Sequence, residues 1–321
     1  MPDTILRPLL AAAIDYAGLF PPASLDMPAA VRQYSEHRAG PDAWALGRFV
    51  VPSTRLAELE REAGPLAPRG PAEPWRLSAL LGTDPAEELK AVGEFNCRHA
   101  ATGAAALSAD VVEARADSVG AIDRLLDAVP RWAQAYVEIP IAADPAPLVA
   151  AIARYGARAK VRTGGVTPEA FPAAADLLRF LRACTAAGVP FKATAGLHHP
   201  LRAEHRLTYA PDSVRGTMFG FLNVFLTAAF LRRGLDDAEA LRLLEERSPE
   251  AFRFSAEGVE WRGHRIDRAA VEEARKAGIV AFGSCSFAEP VGEVRGLLKD
   301  GEDGEDGEDG EGQRRAGAES P

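Results

Sequence analysis

The feature that most constrains the fold is a strict alternation of short β-branched segments with helical segments along most of the chain. A segment with helical periodicity and start signals follows each of the first six strand-like segments. Strands that are separated by single helices must run parallel, and eight such units close into a (β/α)₈ TIM barrel. The eight predicted strands are residues 12–17, 47–52, 75–82, 110–116, 134–140, 158–164, 190–196 and 279–285.

A doubly wound open α/β sheet is the competing arrangement. It usually has fewer strands, and the first βα turn here, DYAGLFPP (residues 15–22), lacks the glycine pattern of a dinucleotide site. We therefore expect one TIM-barrel domain over residues 1–299, and we expect it to work without a cofactor.

Residues 200–278 interrupt the alternation. They contain a long apolar helical segment (216–233), a second helical segment (235–247) and a hairpin pattern that turns at Glu257-Gly258. We expect a large insertion between the seventh and eighth strands. It lies either over the C-terminal mouth of the barrel or on its flank, where it would form the contact of a homo-oligomer.

The net charge of −9 is unevenly distributed along the 321 residues. The segment from Asp300 to the end holds nine acids and two arginines, so it carries −7 and leaves −2 for residues 1–299. Its low-complexity acidic repeat predicts a disordered tail over residues 300–321. The nearly neutral body has no basic stripe, so we expect no nucleic-acid partner.

Other classes of protein are excluded by the apolar and cysteine patterns. The chain has no run of 18 or more apolar residues, so we expect no membrane span, and its first twenty residues lack a basic segment and a cleavage site. The three widely spaced cysteines, Cys97, Cys184 and Cys285, fit neither a disulfide framework nor a zinc cluster. These observations predict a cytoplasmic protein.

Charged and polar residues occupy alternate positions of four consecutive predicted strands. Because helices cover the outside of a barrel, such side chains must point into its interior or lie at its C-terminal mouth, where active sites are found. Isolated buried charges cost several kcal/mol, so the cluster must pair internally, as an ion network or as catalytic groups. The residues are Glu113, Arg115, Tyr136, Glu138, Lys160, Arg162, Lys192 and Thr194.

The choice of lysine favours catalysis over a purely structural network. The chain has 32 arginines and only five lysines, yet Lys160 and Lys192 fall on consecutive predicted strands, each four residues before a glycine. A partly buried lysine can lose its proton and form a Schiff base, which arginine cannot do. Two facing ammonium groups are expected to lower each other's pKa, which makes an amine a nucleophile towards a carbonyl.

Several segments, taken in order, resemble the 2-deoxyribose-5-phosphate aldolases and related class I aldolases. AAIDYAGLFPPA resembles the family's Ile-Asp-His-Thr-Leu-Leu motif at Asp15, ADVVE resembles Ala-Asp-Glu-Val-Asp at Glu113, and YVEIP resembles the fifth strand at Glu138. AKVRTGG resembles Lys-Thr-Ser-Thr-Gly at Lys160, and FKATAGLHH resembles Lys-Ala-Ser-Gly-Gly-Ile-Arg at Lys192. VAFGSCS (residues 280–286) resembles the final phosphate-binding turn, Ile-Gly-Thr-Ser-Ser.

The resemblance implies a Schiff-base aldolase or lyase that acts on a small carbonyl metabolite carrying a phosphate or carboxylate. It implies that Lys160 forms the Schiff base, that Lys192 lowers the pKa of Lys160 and that Glu113 transfers protons. Asp15 and Glu138 complete the candidate catalytic group, with Asp15 either an acid/base or a buried cap of the following turn. Glu113 in place of an aspartate, together with other departures from the family pattern, points away from deoxyribose phosphate itself.

The candidate substrate-binding residues follow the same strands. Arg162, which replaces a small hydroxyl residue of the family, can hold a carboxylate or phosphate with two hydrogen bonds. The backbone N–H groups of the last-strand turn can hold a second anion. No histidine stands beside Cys285 in the sequence, so its expected role is a packed small side chain. The full set is Arg162, Thr163, Thr194, Gly196, His198, His199, Gly283, Ser284, Cys285 and Ser286.

Two other functions remain open at this point. A metal-dependent barrel lyase, isomerase or hydrolase could use His198 and His199 with Glu138, although adjacent residues at a strand end point to opposite sides, so we predict no metal. The second open function is that of a barrel that binds a small molecule without turnover. Asn223, a polar residue in the long apolar helical segment, predicts either a substrate contact or a buried hydrogen bond between helices.

Overall fold

The computed structural model describes residues 4–69, 73–100 and 104–302. Its strands are β1 (Ile14–Tyr16), β2 (Leu46–Pro52), β3 (Trp75–Leu80), β4 (Leu107–Arg115), β5 (Gln134–Glu138), β6 (Arg158–Arg162), β7 (Phe191–Thr194), β8 (Ala203–Arg206), β9 (Arg215–Met218), β10 (Phe252–Phe254), β11 (Gly258–Trp261), β12 (His264–Asp267) and β13 (Ile279–Ser284). Its α-helices are α1 (Leu6–Leu10), α2 (Met27–Ala39), α3 (Leu56–Ala63), α4 (Pro85–His99), α5 (Val119–Ala128), α6 (Ala146–Arg154), α7 (Ala174–Ala187), α8 (Phe221–Leu231), α9 (Asp237–Glu245), α10 (Arg268–Ala277) and α11 (Ala288–Glu302).

Eight of these strands form a closed, all-parallel barrel. The strands β1 to β7 are neighbours in chain order, and β13 pairs with both β7 and β1 to close the sheet. Helices lie between consecutive barrel strands, as the crossover connections of parallel strands require. The predicted α/β barrel is therefore confirmed, and each of its strands overlaps one of the eight predicted segments.

The alternation of inward and outward side chains separates the apolar core from the polar interior. On β6 and β7 the buried residues Ala159, Val161, Phe191 and Ala193 belong to the apolar core, and Phe191 packs edge-on against Phe180 of α7. The residues between them on these strands include the two lysines. A period of two along each strand therefore places the lysines on the interior face.

The chain between β7 and β13 contains three kinds of structure. The strands β8 and β9 form an antiparallel hairpin, and β10, β11 and β12 form a separate antiparallel sheet. The predicted turn joins β10 to β11, with Glu257 in the connection and Gly258 as the first residue of β11. All eleven residues of α8 are buried, and the helix packs on β13 between α7 and α10.

The long apolar helical segment is shorter in the structure than the sequence predicts. Residues Arg215–Met218 form β9, and the helix begins only at Phe221. Gly220 precedes it, and a Cβ at this position would collide with the backbone carbonyl of Pro200. Close approach of the backbone after β7 therefore fixes where α8 starts.

The last helix lies at the predicted boundary between body and tail. Helix α11 continues to Glu302, so the predicted division between body and tail after residue 299 falls inside a helix. The remainder of the predicted disordered tail, residues 303–321, lies outside the described residues. None of the helices within the described ranges is long and apolar enough to cross a membrane.

Candidate active site

A cavity of about 220 Å³ lies where the barrel strands end. Its lining includes Lys160, Lys192 and Glu113, together with residues from the loops that follow β1, β6, β7 and β13. Leu207, which directly follows β8, and Met218 of β9 also line it, so the β8–β9 hairpin contributes one wall. The cavity thus occupies the position at which barrel enzymes bind their substrates.

The two lysines share one carboxylate. Lys160 and Lys192 are register partners on β6 and β7. The Nζ of Lys160 lies 2.8 Å from Oε2 of Glu113, and the Nζ of Lys192 lies 2.7 Å from Oε1 of the same residue. The hydroxyl of Ser78, on β3, donates to Glu113 Oε1 at 2.5 Å. Lys192 is fully buried, whereas Lys160 keeps 6% of its surface exposed.

Each lysine also contacts a second carboxylate. Glu138 Oε2 lies 2.9 Å from the Nζ of Lys160, and Glu138 Oε1 accepts from Nε of Arg115 at 2.6 Å. Asp15 Oδ2 accepts from the Nζ of Lys192 at 2.5 Å, while its Oδ1 accepts from the backbone N–H of Arg48 at 2.8 Å. The structure thus brings together all five predicted catalytic residues in one network of two ammonium groups and three carboxylates.

This balance of charge determines how the buried groups ionise. Burial opposes the charged form of Lys192, but the carboxylates of Asp15 and Glu113 outweigh it and raise its pKa above the ordinary value. Burial likewise opposes ionisation of Glu113, yet the two ammonium groups hold its pKa far below the usual range. The pKa of Glu138 is also lowered, against burial, by Lys160 and Arg115.

One electrostatic expectation from the sequence is therefore wrong for Lys192. Two facing ammonium groups were expected to lower each other's pKa, but the pKa of Lys192 is raised. The reason is that the carboxylates of Asp15 and Glu113 both lie within hydrogen-bond distance of the Nζ of Lys192 and favour its charged form. In this state Lys192 is a fixed cation.

Six of the ten predicted substrate-binding residues line the cavity. They are Arg162, Thr194, Gly196, His198, Gly283 and Cys285. Gly196 has a φ of +71°, and a side chain there would collide with the ring of Phe171, which explains the glycine. The side chain of Arg162 is exposed and makes no hydrogen bond or ion pair with another described residue, so its guanidinium is free to bind a ligand.

The other four predicted substrate-binding residues are not among the described residues that line the cavity. Each of them has a local partner instead. The hydroxyl of Thr163 donates to the carbonyl of Ala195 at 2.7 Å, and thereby joins the ends of β6 and β7. His199 Nδ1 lies 2.7 Å from Glu293 Oε1. The hydroxyls of Ser284 and Ser286 lie near His198 Nδ1 and the backbone N–H of Glu289, at 3.4 and 3.2 Å.

A second polar cluster on the cavity wall was missed by the sequence analysis. His198 lies beside Cys285, with Nε2 4.0 Å from Sγ, and its Nδ1 is 3.2 Å from Glu289 Oε2. Burial disfavours the imidazolium, but the neighbouring Cys285 and Glu289 raise the pKa of His198 to about 9. The pairing of β7 with β13 is the signal that could have placed the residues after these two strands side by side.

The geometry does not assemble the metal site considered from the sequence. His198 and His199 bind different carboxylates of α11, and their rings are 6.4 Å apart. Glu138 pairs with Lys160 and Arg115 instead. Within the described part of the chain, no group of three or more His, Cys, Asp or Glu side chains is arranged to hold a metal ion.

Asn223 lies in the interior and forms hydrogen bonds with neighbouring segments of the chain. It is fully buried, its amide donates to the carbonyls of Leu243 and Glu246 at 2.8 and 2.9 Å, and its Oδ1 accepts from the backbone N–H of Arg202 at 2.9 Å. Of the two roles predicted for it, the structure therefore shows the buried hydrogen bonds between elements.

Comparison of the chain with protein-family models, with curated proteins and with solved structures gives no match. The functional interpretation therefore rests on the residues of the cavity and their chemistry.

Proposed function

We propose that this protein is a Schiff-base-forming aldolase or lyase that acts on a small carbonyl metabolite carrying a carboxylate or phosphate. The observation that carries the proposal is the pair of buried lysines that share the two oxygens of Glu113 beneath a cavity at the strand ends. An ion network needs only positive charge, for which this chain almost always uses arginine. An amine adds the ability to form a covalent bond with a carbonyl carbon.

Lys160 is the proposed nucleophile. It is the less enclosed of the two lysines, it lines the cavity, and carboxylates flank it on two sides. Lys192 is fully buried and held by Asp15 and Glu113. Its proposed role is to remain charged and to hold the ionised carboxylate of Glu113 in place beside Lys160.

The reaction begins when the ammonium of Lys160 gives a proton to Glu113 or Glu138. The free amine adds to the substrate carbonyl carbon, and the carbinolamine loses water to form an iminium. The iminium carries the same charge as the original ammonium, so its ion pairs with the two glutamates persist and stabilise it. The bond between the α and β carbons then breaks, and its electron pair moves towards the iminium to give an enamine. The hydroxyl on the β carbon gives its proton to a glutamate carboxylate, so this fragment leaves as an aldehyde. The enamine is protonated at its α carbon, and water hydrolyses the resulting iminium to release the second product and the amine of Lys160.

The anionic group of the substrate has a proposed partner in Arg162. This arginine lines the cavity at the end of β6 and makes no ion pair with a described residue. A planar guanidinium can bind a carboxylate or phosphate through two hydrogen bonds. Because Lys160 lies two residues earlier on the same strand, one substrate molecule would present its carbonyl to Lys160 and its anionic group to Arg162.

Three further assignments belong to this proposal. We regard residues 200–278 as an insertion in the barrel, whose hairpin forms one wall of the cavity and whose exposed Tyr209 and Val214 offer a contact surface for a homo-oligomer. The three cysteines are free thiols, which supports a reducing cytoplasm as the place of action.

Reductive trapping tests the proposal. The protein is incubated with acetaldehyde, pyruvate or dihydroxyacetone phosphate, reduced with borohydride and digested for mass spectrometry. We expect at least one of these carbonyl compounds to add its mass to the peptide that contains Lys160. The Lys160→Arg variant, which keeps the charge, should lose the label, whereas Lys90→Arg, at an exposed position of α4, should keep it.

The competing interpretation is a barrel that binds a small molecule without turnover. It predicts no adduct on Lys160, or labelling of Lys160 no greater than that of the exposed Lys90 and Lys276. Either result would reject the Schiff-base proposal.

A further inference from the structure

The cavity wall carries a second group of reactive side chains, on the side of β13. Cys285 and His198 both line the cavity, with Sγ 3.9 Å from Nδ1 and 4.0 Å from Nε2. Glu289 Oε2 lies 3.2 Å from His198 Nδ1. The hydroxyl of Tyr209 lies 3.6 Å from Sγ and donates to Glu289 at 3.3 Å, so it touches both ends of the cluster.

This is the arrangement of a nucleophile, a base and an orienting acid. In such sites a carboxylate binds one ring nitrogen of the histidine and fixes the ring. Here Glu289 binds Nδ1, and both ring nitrogens lie within 4.0 Å of Sγ, so Nε2 is the nitrogen left to exchange a proton with the thiol. A protonated imidazole beside a thiol stabilises the thiolate, the form of cysteine that attacks carbon. A distance of 4.0 Å is long for a hydrogen bond, but such contacts are often loose before a substrate binds.

The other two cysteines show that this environment is particular to Cys285. Cys184 is enclosed in the apolar core of α7, where burial alone raises the pKa of its thiol. Cys97 lies exposed on α4. Only Cys285 among the three combines a histidine, a carboxylate behind that histidine and a position on the wall of the cavity, within the described residues.

We infer that Cys285 is a second nucleophile of the cavity, which adds reversibly to the carbonyl carbon of a small aldehyde with His198 as the proton donor. In this step the thiolate sulfur forms a C–S bond and the carbonyl π bond breaks. Its electron pair moves to the oxygen, which takes the proton of the imidazolium and leaves a neutral His198 and a hemithioacetal. The reverse step returns the proton and releases the aldehyde, so no further reactant is needed.

The choice of an aldehyde rests on the proposed function. Cleavage of a C–C bond next to an iminium on Lys160 leaves one fragment attached as the enamine and frees the other as an aldehyde. Cys285 and Lys160 line the same small cavity, so the freed fragment is produced within reach of the thiol. Its capture at Cys285 would keep it away from the amine of Lys160 while the enamine is protonated.

Alkylation rates test the activated thiol without any assumption about the lysines. The full chain is treated with iodoacetamide at pH 7, and modification of the peptides containing Cys285, Cys97 and Cys184 is followed by mass spectrometry. We expect His198→Asn to slow alkylation of Cys285 by about tenfold or more, because the thiolate loses its cation. His264→Asn, a histidine of β12 that lies against Glu239, should leave the rate unchanged.

A second measurement tests the hemithioacetal itself. In Lys160→Arg, which cannot form a Schiff base at that position, millimolar acetaldehyde should still slow alkylation of Cys285 reversibly and leave Cys97 unaffected. Alkylation of Cys285 that is independent of His198, or no protection by acetaldehyde in Lys160→Arg, would overturn the inference. Failure of the Schiff-base proposal has a different signature, namely no borohydride-dependent mass on Lys160 of the unsubstituted protein.

Discussion

Glu113 is the residue on which the charge balance of the cavity depends. Its two oxygens face two ammonium groups, and its own side chain is almost fully buried. Replacing it with glutamine keeps the shape but leaves Lys160 and Lys192 with one carboxylate each. Two buried contacts between an ammonium group and a carboxylate are then lost, one for each lysine. Because a hydrogen bond to a charged group contributes about 1.5–3 kcal/mol, we expect Glu113→Gln to lower the free energy of unfolding by about 3–5 kcal/mol.

Urea denaturation at neutral pH measures this loss, and Glu58→Gln provides the control. Glu58 forms an ion pair with Arg55 near the start of α3, where both side chains are partly exposed, so its replacement should cost less than about 1 kcal/mol. If the two variants proved equally stable, the network around Glu113 would not hold the barrel interior together.

Because the pKa of His198 is raised, the free energy of unfolding depends on pH in the neutral to alkaline range. This pKa is raised from 6.5 to about 9, because Cys285 and Glu289 outweigh the effect of burial on the imidazolium. Protonated His198 therefore stabilises the folded protein. This contribution is complete below the pKa of the unfolded state and is lost as the pH rises through about 9. The contribution is on the order of 3 kcal/mol.

We therefore expect the difference in free energy of unfolding between the unsubstituted protein and His198→Asn to shrink from pH 6 to pH 10. Taking the difference removes the titration of lysines and tyrosines that both proteins share. A difference that stayed constant across this range would mean that His198 is neutral in the folded protein.

The sequence predicted the charged residues of the barrel interior better than the residues of the loops that line the cavity. Asp15, Glu113, Glu138 and the two lysines could be found because charged residues on strands covered by helices must face the interior. Loop residues have no such constraint. Thr163 and His199 follow strands as expected, yet their side chains bind Ala195 and Glu293, and only the loop conformations after β6 and β7 determine this.

At the scale of elements, strand positions were predictable because composition and alternation act locally. The start of α8 was not, because it depends on the backbone of Pro200 lying against Gly220. The cluster of His198 and Cys285 was missed for a similar reason. The strand order implies that β7 and β13 are neighbours, but the contact itself depends on how the two loops fold back over the strand ends.

Asn223 joins α8 to the chain on both sides of it. Its three hydrogen bonds reach the carbonyls of Leu243 and Glu246, at the end of α9, and the backbone N–H of Arg202, at the base of the β8–β9 hairpin. Leucine fits the apolar surroundings in size but leaves these backbone groups unpaired. Each unpaired buried group costs about 1–3 kcal/mol, so we expect Asn223→Leu to destabilise the protein by several kcal/mol.

Chemical denaturation checks this value, with Thr227→Val as the control on the same helix. Thr227 is equally buried and its hydroxyl has no hydrogen-bond partner among the described residues, so its replacement should have little effect on stability. A loss in Asn223→Leu no larger than in Thr227→Val would show that the three hydrogen bonds do not stabilise the segment between β7 and β13.

At the scale of the whole molecule, closure of the barrel assembles the candidate site from distant parts of the chain. Asp15 and Lys192 are 177 positions apart, yet their side chains share a hydrogen bond because β13 brings β1 next to β7. The eightfold repeat made this closure predictable. It did not reveal that Lys160 and Lys192 would share the carboxylate of Glu113, because that pairing depends on which side chains lie in one layer of the interior.

The acidic tail offers a test of whether the described body is sufficient for the chemistry. Residues 303–321, which lie outside the described residues, carry seven acids and two arginines and almost no apolar side chains, so they offer little surface to bury. Ending the chain at Glu302 changes the net charge from −9 to −4, since the removed segment carries −5. We expect the shortened protein to elute earlier in anion exchange. Its free energy of unfolding should lie within about 0.5 kcal/mol of that of the full chain, and borohydride should still trap an adduct at Lys160. Loss of trapping with stability retained would instead place the tail in contact with the cavity, and loss of stability would show that it packs on the barrel.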